Sequence, residues 1–544
     1  MIRSLRHWPL FPFLIASFFF AVPRPVDAQK AAAQKAPAQK LPVQKPPAVA
    51  PSPSSAEVRT ARAFDDARKQ GPEALRAFLY RMPKGADLHS HLSGAIYAES
   101  WIRAAGEDHL CVDTKTLAFA KPNGVNNDLA VCKTGEVPAS TVPQNQHLYD
   151  DLIDAFSMRT FVPVSADSGH DHFFATFDKF GGTDKRHMGE WLDEVATRAA
   201  AQNEQYLELM DTPDFRPAAA IAARIGYNPN FVEYREKLLS SGIKESIPAI
   251  SAAIDRAEDD RKTREHCGQP DAQPACGVKI RFIYQILRGL PPEVVFAQVV
   301  LGFETAVADT RFVGMNFVQP EDGYIAMRDY RLQMQMLDAV HGSYPQVHIS
   351  LHAGELAPGM VPPEGLTFHI RLAVEQGEAE RIGHGVDVMY EDRPYELLKE
   401  MSVKHVMVEV NLTSNDVILN MKGDDHPFEL YRRYGVPVAL STDDEGVSRI
   451  DLTHEYVRAA VTYPLSYRDL KKIARTSLEH SFLPGGSVWQ QATPETLDKP
   501  VPACAGQLGQ DTPAGECADL VSGSEKAQQQ WELERRFHAF EASY

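Results

Sequence analysis

The stretch RMPKGADLHSHLSGAI at residues 81–96 places two histidines, His89 and His91, one residue apart in an otherwise apolar run. Alternate side chains of a β-strand share a face, so both imidazoles would point the same way and could share one metal ion. A chain with 19 histidines is expected to contain roughly one His-x-His triplet by chance. A second copy does occur, at His170-Asp171-His172, so the triplet predicts a metal site only if further ligands accompany it.

The stretch belongs to the first of eight β-rich runs that alternate with longer amphipathic helical segments. Most of the runs are dense in Val, Ile and aromatic residues, which is typical of strands buried on both faces. Eight strand-helix units predict the α/β class and a (β/α)8 TIM-type barrel, with a doubly wound open sheet as the alternative. The predicted strands are ADLHSHL (86–92), QYLELMD (205–211), KIRFIYQI (279–286), RFVGMNFV (311–318), QVHISLH (346–352), RIGHGV (381–386), HVMVEVNL (405–412) and VPVALSTD (436–443).

Two of the connections are far longer than ordinary loops. The gaps after strands one and two span about 110 and about 70 residues, whereas most connections have about 2 to 6. We therefore expect large inserted subdomains at both places. The predicted barrel domain occupies residues 59–490, and residues 491–544 form a carboxyl-terminal extension with a Pro/Gly-rich start and a helix-like, charged end.

The amino terminus has the composition of an export signal. Arg3 and Arg6 precede an apolar run, and Val26-Asp27-Ala28 offers a small-residue cleavage site, so residues 1–28 are predicted to be a signal peptide. A membrane anchor is the alternative, but the run is short for a span of about 20 residues. Residues 29–58, rich in Ala, Pro and Lys, are predicted to be a disordered linker. The expected location is secreted or periplasmic, with no membrane contact after cleavage.

Composition limits the partners. The 544 residues are 44% apolar and 24% charged, as in globular proteins, and the formal net charge is −17. An acidic surface repels phosphate backbones, so a nucleic-acid polymer is not an expected partner.

Six cysteines fit an oxidising compartment. They fall in three close couples, and no Cys-x-x-Cys indicates a zinc ribbon. Six cysteines allow 15 connectivities, of which local pairing is the simplest. The couples are Cys111 with Cys132, Cys267 with Cys276, and Cys504 with Cys517.

Polar side chains gather where the predicted strands end, which is where barrel enzymes keep their working residues. Strand one ends in the two histidines, strand five in His352-Ala-Gly-Glu355, strand six carries His384, and strand eight ends in Thr442-Asp443-Asp444. Imidazole and carboxylate suit zinc. The predicted zinc ligands, for one ion per chain, are His89, His91, His352 and Asp443.

The neighbouring groups have different predicted tasks. Glu355, three residues beyond His352, can approach a substrate without competing for the metal. His384, flanked by glycines, can orient or deprotonate a water molecule that the ion activates. For the second triplet, 170–172, we expect a surface or loop role, because it precedes the helix-like run HFFATFDKF.

In this order, Met-Pro-Lys before the triplet, His-Ala-Gly-Glu, His-Gly and Thr-Asp-Asp resemble the adenosine deaminase family of zinc amidohydrolases, from about residue 82 to about 484. The signal and the cysteine-bearing insertions are similar to its secreted, growth-factor-related branch. The resemblance implies water attack on purine C6 with loss of ammonia. It also implies that Glu355 protonates N1, that His384 orients the water, that Asp444 holds N7, and that a homodimer is possible.

Two departures concern the substrate, expected to be a small purine nucleoside. Ser93 stands where intracellular members have an acid that meets the ribose. Gly314, with Gln319 after it, lies on strand four, which in the family leads to a glycine that meets N3, and Gln319 is a candidate base contact. Asp154, Phe156 and Arg159 are better read as helix packing than as pocket residues.

Three functions remain open. The first is deamination of adenosine or 2′-deoxyadenosine, and the second is deamination of adenine or a modified nucleoside, which Ser93 and Gln319 favour. The third is a binding or signalling barrel without turnover, which should lack a metal ligand or the acid, and this chain lacks neither.

Overall fold

The computed structural model describes residues 54–164, 167–183, 185–490 and 497–544. The predicted signal peptide and residues 29–53 of the predicted linker lie outside this range. The last linker residues do not: an α-helix runs over Ser55–Gln70, and the Ser54 hydroxyl accepts a hydrogen bond from Glu57 N at 3.0 Å. A side-chain cap of this kind satisfies a free backbone donor of the first turn. The folded chain therefore begins before the predicted boundary at residue 59.

Eight parallel strands form the central sheet of the described chain, in sequential order. All eight predicted strands are present, within a few residues of the expected ends. They are β1 (Gly85–His91), β2 (Glu204–Asp211), β3 (Lys279–Leu287), β4 (Phe312–Val318), β5 (His348–Ala353), β6 (Arg381–His384), β7 (Met407–Val410) and β8 (Val438–Leu440).

The sheet closes on itself where β1 meets the segment that follows β8. His91 N donates to Asp443 O and Asp443 N donates to His89 O, both at 2.9 Å, which joins β1 to the segment after β8. The Asp87 carboxylate reinforces this seam, because it accepts from Thr442 Oγ1 at 2.6 Å and from His89 N at 3.1 Å. The fold is thus the predicted (β/α)8 barrel, and the open-sheet alternative is excluded.

Helices follow the strands as the barrel requires. Between β3 and the end of the barrel they are Pro292–Ala308, Tyr324–His341, His369–Glu375, Pro394–Lys404, Leu412–Leu419, Phe428–Arg433, Glu445–Ser448, Leu452–Thr462 and Tyr467–Glu479. Helix Pro72–Arg81 precedes β1, and Glu516–Gly523 and Glu525–Ala542 follow the barrel. The last helix contacts β1, β2 and helix Tyr467–Glu479, so the carboxyl-terminal extension packs against the barrel.

The two long insertions are folded subdomains. The first contains helices Leu92–Ala95, Ala98–Glu107, Gln146–Ala155, Gly169–Lys179 and Met188–Ala201, with short strands Cys111–Asp113, Ala118–Ala120, Val125–Asn126, Leu129–Ala130 and Glu136–Pro138. The second contains helices Arg216–Ile225, Phe231–Ser240 and Ile247–Arg264. The predicted local disulfides are confirmed: Cys111–Cys132, Cys267–Cys276 and Cys504–Cys517 are all bonded.

The barrel interior is layered. Met210, Ile283, Val313 and Phe482 form an apolar cluster in the interior. The buried Arg381 lies with its guanidinium carbon 3.8 Å from the centre of the Phe482 ring. The site at the carboxyl ends of the strands therefore rests on a filled interior, as in other barrels of this kind. Over the described residues, no helix is long and apolar enough to cross a membrane.

Candidate active site

The four predicted metal ligands converge at the carboxyl ends of their strands. His89 and His91 end β1, His352 lies near the end of β5, and Asp443 follows β8. All four are largely buried, and each offers a ligand atom within 4.8 Å of those of the others. His91 Nε2 lies 3.1 Å from His352 Nε2 and 3.2 Å from Asp443 Oδ1, and His89 Nε2 lies 3.3 Å from the same oxygen.

These distances fit one tetrahedral ion. With metal–ligand bonds of about 2.0 to 2.1 Å, tetrahedral zinc ligands lie roughly 3.3 Å apart. His89 Nε2 is buried without a hydrogen-bond partner among the described residues. A buried nitrogen that is left unpaired costs free energy unless another group, such as a cation, satisfies it.

Hydrogen bonds fix the same tautomer in all three histidines. Each Nδ1 faces an oxygen that accepts, so Nδ1 carries the proton and Nε2 presents its lone pair to the centre. For His352 the acceptor is unambiguous, because Asn316 Oδ1 also accepts from the backbone N of His352 at 3.0 Å. The pairs are His89 with Glu409 (2.6 Å), His91 with Gln285 (2.6 Å) and His352 with Asn316 (2.8 Å).

Glu409 links the centre to the charged layer beneath it. Its Oε1 accepts from Ser350 Oγ at 2.9 Å and pairs with Arg381 Nε at 2.7 Å, while Arg381 Nη1 pairs with Glu208 Oε2 at 2.7 Å. All these side chains are buried. Because each buried charge has a partner, the carboxylate that orients His89 is held in place from below.

Glu355 is in the environment of a neutral acid. It is 7% exposed, and burial, followed by the nearby charge of Asp443, raises the pKa of its carboxyl group well above the usual value. Its Oε1 lies 3.8 Å from His384 Nδ1, and its backbone N donates to Glu321 Oε2 at 2.7 Å. A protonated carboxyl at this position can donate a proton to a bound ligand.

His384 is buried beside the ligands without belonging to them. Its ring centre lies 4.9 Å from that of His89 and 5.1 Å from that of His352. Burial lowers its pKa to about 3, so the ring is neutral. Its backbone is left-handed, with φ +70°, as is that of Asp443 at φ +61°. Left-handed non-glycine residues are uncommon and cluster at functional sites.

Asp444 points into the cavity next to the metal cluster. Burial, followed by the charge of Asp443, raises its pKa to about 8, and its Oδ1 is buried without a hydrogen-bond partner among the described residues. Its carboxyl group lies against Gly94, where a Cβ would come within 1.6 Å of Oδ1. A protonated Asp444 can donate a hydrogen bond to an acceptor atom of a ligand.

A cavity of about 540 Å³ over the barrel mouth is lined by His91, His352, Glu355, Asp443 and Asp444. One side comes from the first insertion: helix Gly169–Lys179, which we call the overhanging helix, contributes Phe173, Phe174, Phe177 and Asp178. Thr212, Leu287 and Val318 complete the wall from the ends of strands. Apolar walls with a few converging polar groups are typical of a small-molecule site.

Two of the three other predicted substrate residues lie at this cavity. Ser93 and Gln319 line it, although Gln319 Oε1 already accepts from Gly289 N at 2.8 Å. Gly314 does not line it. It pairs in register with His348, the first residue of β5, and a Cβ on Gly314 would lie 2.8 Å from Phe482 in the barrel interior. Its place early in β4 makes it a packing glycine, so its prediction as a substrate contact is wrong.

The second histidine triplet is part of the overhanging helix rather than of a loop, and Asp171 is exposed at the surface. His170 Nε2 lies 3.1 Å from Asp322 Oδ1, whereas His172 Nε2 lies 3.2 Å from the carbonyl oxygens of Asp154 and Ser157. The two rings therefore have separate partners. The packing role of the neighbouring segment is confirmed, since Phe156 is 1% exposed. Its other two residues pair with each other, Arg159 Nε to Asp154 Oδ1 at 2.5 Å.

A parallel (β/α)8 barrel with three histidines and an aspartate at its mouth defines the class: a barrel protein with a candidate metal site beside a small-molecule cavity. Residues 248–488 match the family model described as adenosine deaminase. The match includes His352, Glu355, His384, Asp443 and Asp444.

Curated relatives agree over a shorter stretch. The adenosine deaminase of Clostridium perfringens strain 13 is 36% identical over 138 residues, which is 25% of this chain and 37% of the relative. The adenosine deaminase of Salmonella heidelberg is 38% identical over 140 residues, 26% of this chain and 39% of the relative. The chain thus spans less than two fifths of the length of these relatives.

Among solved structures, an N6-mAMP deaminase from arabidopsis has a TM-score of 0.47 at 20% identity and covers 75% of this chain and 95% of its own. An adenine deaminase from Arthrobacter aurescens has a TM-score of 0.45 at 17% identity and covers 74% and 94%.

Proposed function

We propose that this protein is a zinc-dependent hydrolytic deaminase of a purine nucleoside, most simply adenosine or 2′-deoxyadenosine, which it converts to the inosine product and ammonia. The observation that carries the proposal is the close approach of the four candidate metal ligands to a buried acid. Four ligand atoms lie within 4.8 Å of one another, and a buried carboxyl with a raised pKa, Glu355, stands beside them.

One zinc ion per chain would be held by His89, His91, His352 and Asp443. The ion would polarise a water molecule and bring its pKa toward neutrality. Three neutral imidazoles and one carboxylate are a ligand set that suits zinc.

The other residues act on the purine. Attack of water at C6 moves electron density to N1, where Glu355 supplies a proton, and a general acid typically contributes about 10² to 10⁴-fold. His384 holds the attacking oxygen in line with C6, and Asp444 donates a hydrogen bond to N7. Of the two protons of the attacking water, one leaves with the amino group as ammonia and the other restores the carboxyl group of Glu355. The ring regains its aromatic character, and the overall reaction is nucleoside plus water to oxo-nucleoside plus ammonia.

We also propose that the protein works outside the cytoplasm, secreted or periplasmic, as its three disulfides favour. The expected substrate is a small molecule rather than a nucleic-acid polymer. The possible homodimer stays a prediction.

A modified nucleoside is the second candidate substrate. A neighbouring cavity of about 710 Å³ shares Ser93 and Thr212 with the metal-site cavity, so a substituent could extend into it. Trp101 and Trp191 are among its walls. An unmodified nucleoside would not use this space.

The test is ammonia release from adenosine, 2′-deoxyadenosine, adenine, AMP and an adenosine that carries an additional substituent, by the zinc-loaded chain, before and after removal of zinc with a chelator. We expect release from adenosine or deoxyadenosine, its loss on chelation and its return with zinc. Release from adenine or only from a modified nucleoside would support the second candidate. No release from any aminopurine by protein that binds zinc would leave a binding barrel and overturn the proposal.

A further inference from the structure

His384 has hydrogen-bond partners opposite to those of the three metal-binding histidines. Their Nδ1 atoms face oxygen acceptors, whereas Nδ1 of His384 lies 2.9 Å from Nδ2 of Asn415 and 3.4 Å from Nδ2 of Asn411. The two asparagines are four residues apart around the start of helix Leu412–Leu419, a spacing that puts them on one face. An amide nitrogen donates and cannot accept, so Nδ1 of His384 must be the accepting nitrogen.

The direction of this contact follows from a backbone group. Phe428 N donates to Nδ1 of His426 at 3.1 Å, and a backbone N–H has no alternative role. A neutral His426 must then carry its proton on Nε2, which lies 3.0 Å from Oδ1 of Asn415. With its oxygen occupied, Asn415 can present only its NH₂ group to His384. The hydrogen bonds of Phe428 N and His426 therefore determine which atom of the Asn415 amide is the nitrogen and which is the oxygen.

The members of this network are buried. Asn415 and His384 are fully buried and His426 is 4% exposed. Burial lowers the pKa of His426 to about 3, so it is neutral at physiological pH, as the network requires. The only ring nitrogen of His384 left for a proton is Nε2, which is buried and has no hydrogen-bond partner among the described residues.

We propose that His426 and Asn415 are positioning residues that lock His384 as its Nε2–H tautomer, so that His384 donates a hydrogen bond to the attacking oxygen rather than removing a proton from it. The catalytic role of this N–H group rests on the proposed function. The tautomer itself is a property of the folded chain.

Neutron diffraction from deuterium-exchanged crystals of the full, zinc-loaded chain reads the tautomer directly. We expect deuterium on Nε2 and none on Nδ1 in both His384 and His426. In Asn415→Asp, which keeps the shape but offers only acceptor oxygens, deuterium should appear on Nδ1 of His384. Deuterium on Nδ1 of His384 in the unmodified protein would overturn the proposal.

Kinetics supply a second readout. Asn415→Asp should lower kcat at least about tenfold with little change in KM or zinc content, as for other residues that orient an active-site histidine. His426→Gln should retain most activity, because its amide can accept from Phe428 N and donate to Asn415, whereas His426→Leu should not. The hydrogen bonds from Phe428 N through His426 and Asn415 to His384 form a chain that we call the relay. Equal activity of the Gln and Leu variants would contradict it. The control is His341→Leu, which removes a histidine–glutamate contact of 2.7 Å outside the site.

The two proposals fail separately. If no purine is deaminated but the deuterium positions are as expected, the relay stands and the assigned activity falls. If adenosine is deaminated and Nδ1 of His384 carries deuterium, the activity stands and the relay falls.

Discussion

Gly94 and Asp444 fit together so closely that no side chain could stand at position 94: a Cβ there would lie 1.6 Å from Oδ1 of Asp444 and 2.4 Å from its Cγ. The insertion that begins after β1 thus leaves room for a carboxyl group from beyond β8. A methyl group at position 94 would displace the Asp444 side chain from its place in the cavity.

Gly94→Ala should therefore displace Asp444 and weaken substrate binding. Loss of one hydrogen bond to the substrate costs about 1 to 3 kcal/mol, which corresponds to about 5- to 160-fold in kcat/KM. Zinc content should be unchanged, since the four ligands are not touched. Steady-state kinetics with metal analysis check this. Gly124→Ala is the matched control, because a Cβ there meets nothing within 4 Å, and an equal loss in both variants would disprove the assignment.

Glu409→Leu should weaken metal binding without removing a ligand. It deletes the acceptor of His89 Nδ1 and leaves Arg381 with one carboxylate partner instead of two. Loss of such an outer contact typically lowers metal affinity about 10- to 100-fold. Loss of one of the two buried ion pairs of Arg381 should also lower the free energy of unfolding by about 3 to 5 kcal/mol. Competition with a zinc chelator and denaturant unfolding measure the two effects.

A matched pair exists outside the site. Glu380 Oε1 lies 2.7 Å from His348 Nδ1, and both side chains are substantially exposed. Glu380→Leu should leave zinc affinity unchanged. If Glu409→Leu binds zinc as tightly as this control, the role of Glu409 in orienting His89 is refuted.

The pH dependence of turnover should have an alkaline limb set by Glu355. Its pKa is raised by burial and by Asp443, which favours the protonated carboxyl that can act as an acid. The active form is lost as pH rises through that pKa, and kcat should fall there. Glu355→Gln should retain zinc, lose about 10² to 10⁴-fold in kcat and lose this limb. A pH–rate profile of both proteins is the measurement, and an unchanged limb in the variant would assign it to another group.

Much of the site follows from strand ends in the sequence. In a parallel barrel all carboxyl ends meet at one face, so ligands separated by more than 350 residues, His89 and Asp443, can be placed together without knowing any angle. Gly314 shows the limit of this reasoning. A position within a strand run does not reveal how far it lies from the mouth, and here β4 extends past the glycine to Val318.

The residues that orient the three histidines were not predicted from the sequence, although the sequence contains a signal for them. Asn316 and Glu409 are the single polar residues of β4 and β7, and Gln285 lies near the end of β3. Each lies within hydrogen-bond distance of Nδ1 of one histidine of the candidate metal site. A buried polar side chain requires a partner, so such residues near strand ends are candidates for contacts around a site. The overhanging helix could not be placed from sequence, because nothing in an insertion's pattern states where it folds back.

That helix gives the last prediction. Phe174 lines the cavity from the overhanging helix and lies outside the ligand set and the charged layer. Phe174→Ala should raise KM about two- to tenfold, since an aromatic contact contributes about 0.5 to 1.5 kcal/mol, and should leave kcat and zinc content nearly unchanged. Phe231→Ala, which removes a ring 4.9 Å from Phe296 in the second insertion, controls for lost packing. If KM is unchanged in Phe174→Ala, or rises equally in the control, the overhanging helix does not contact the substrate.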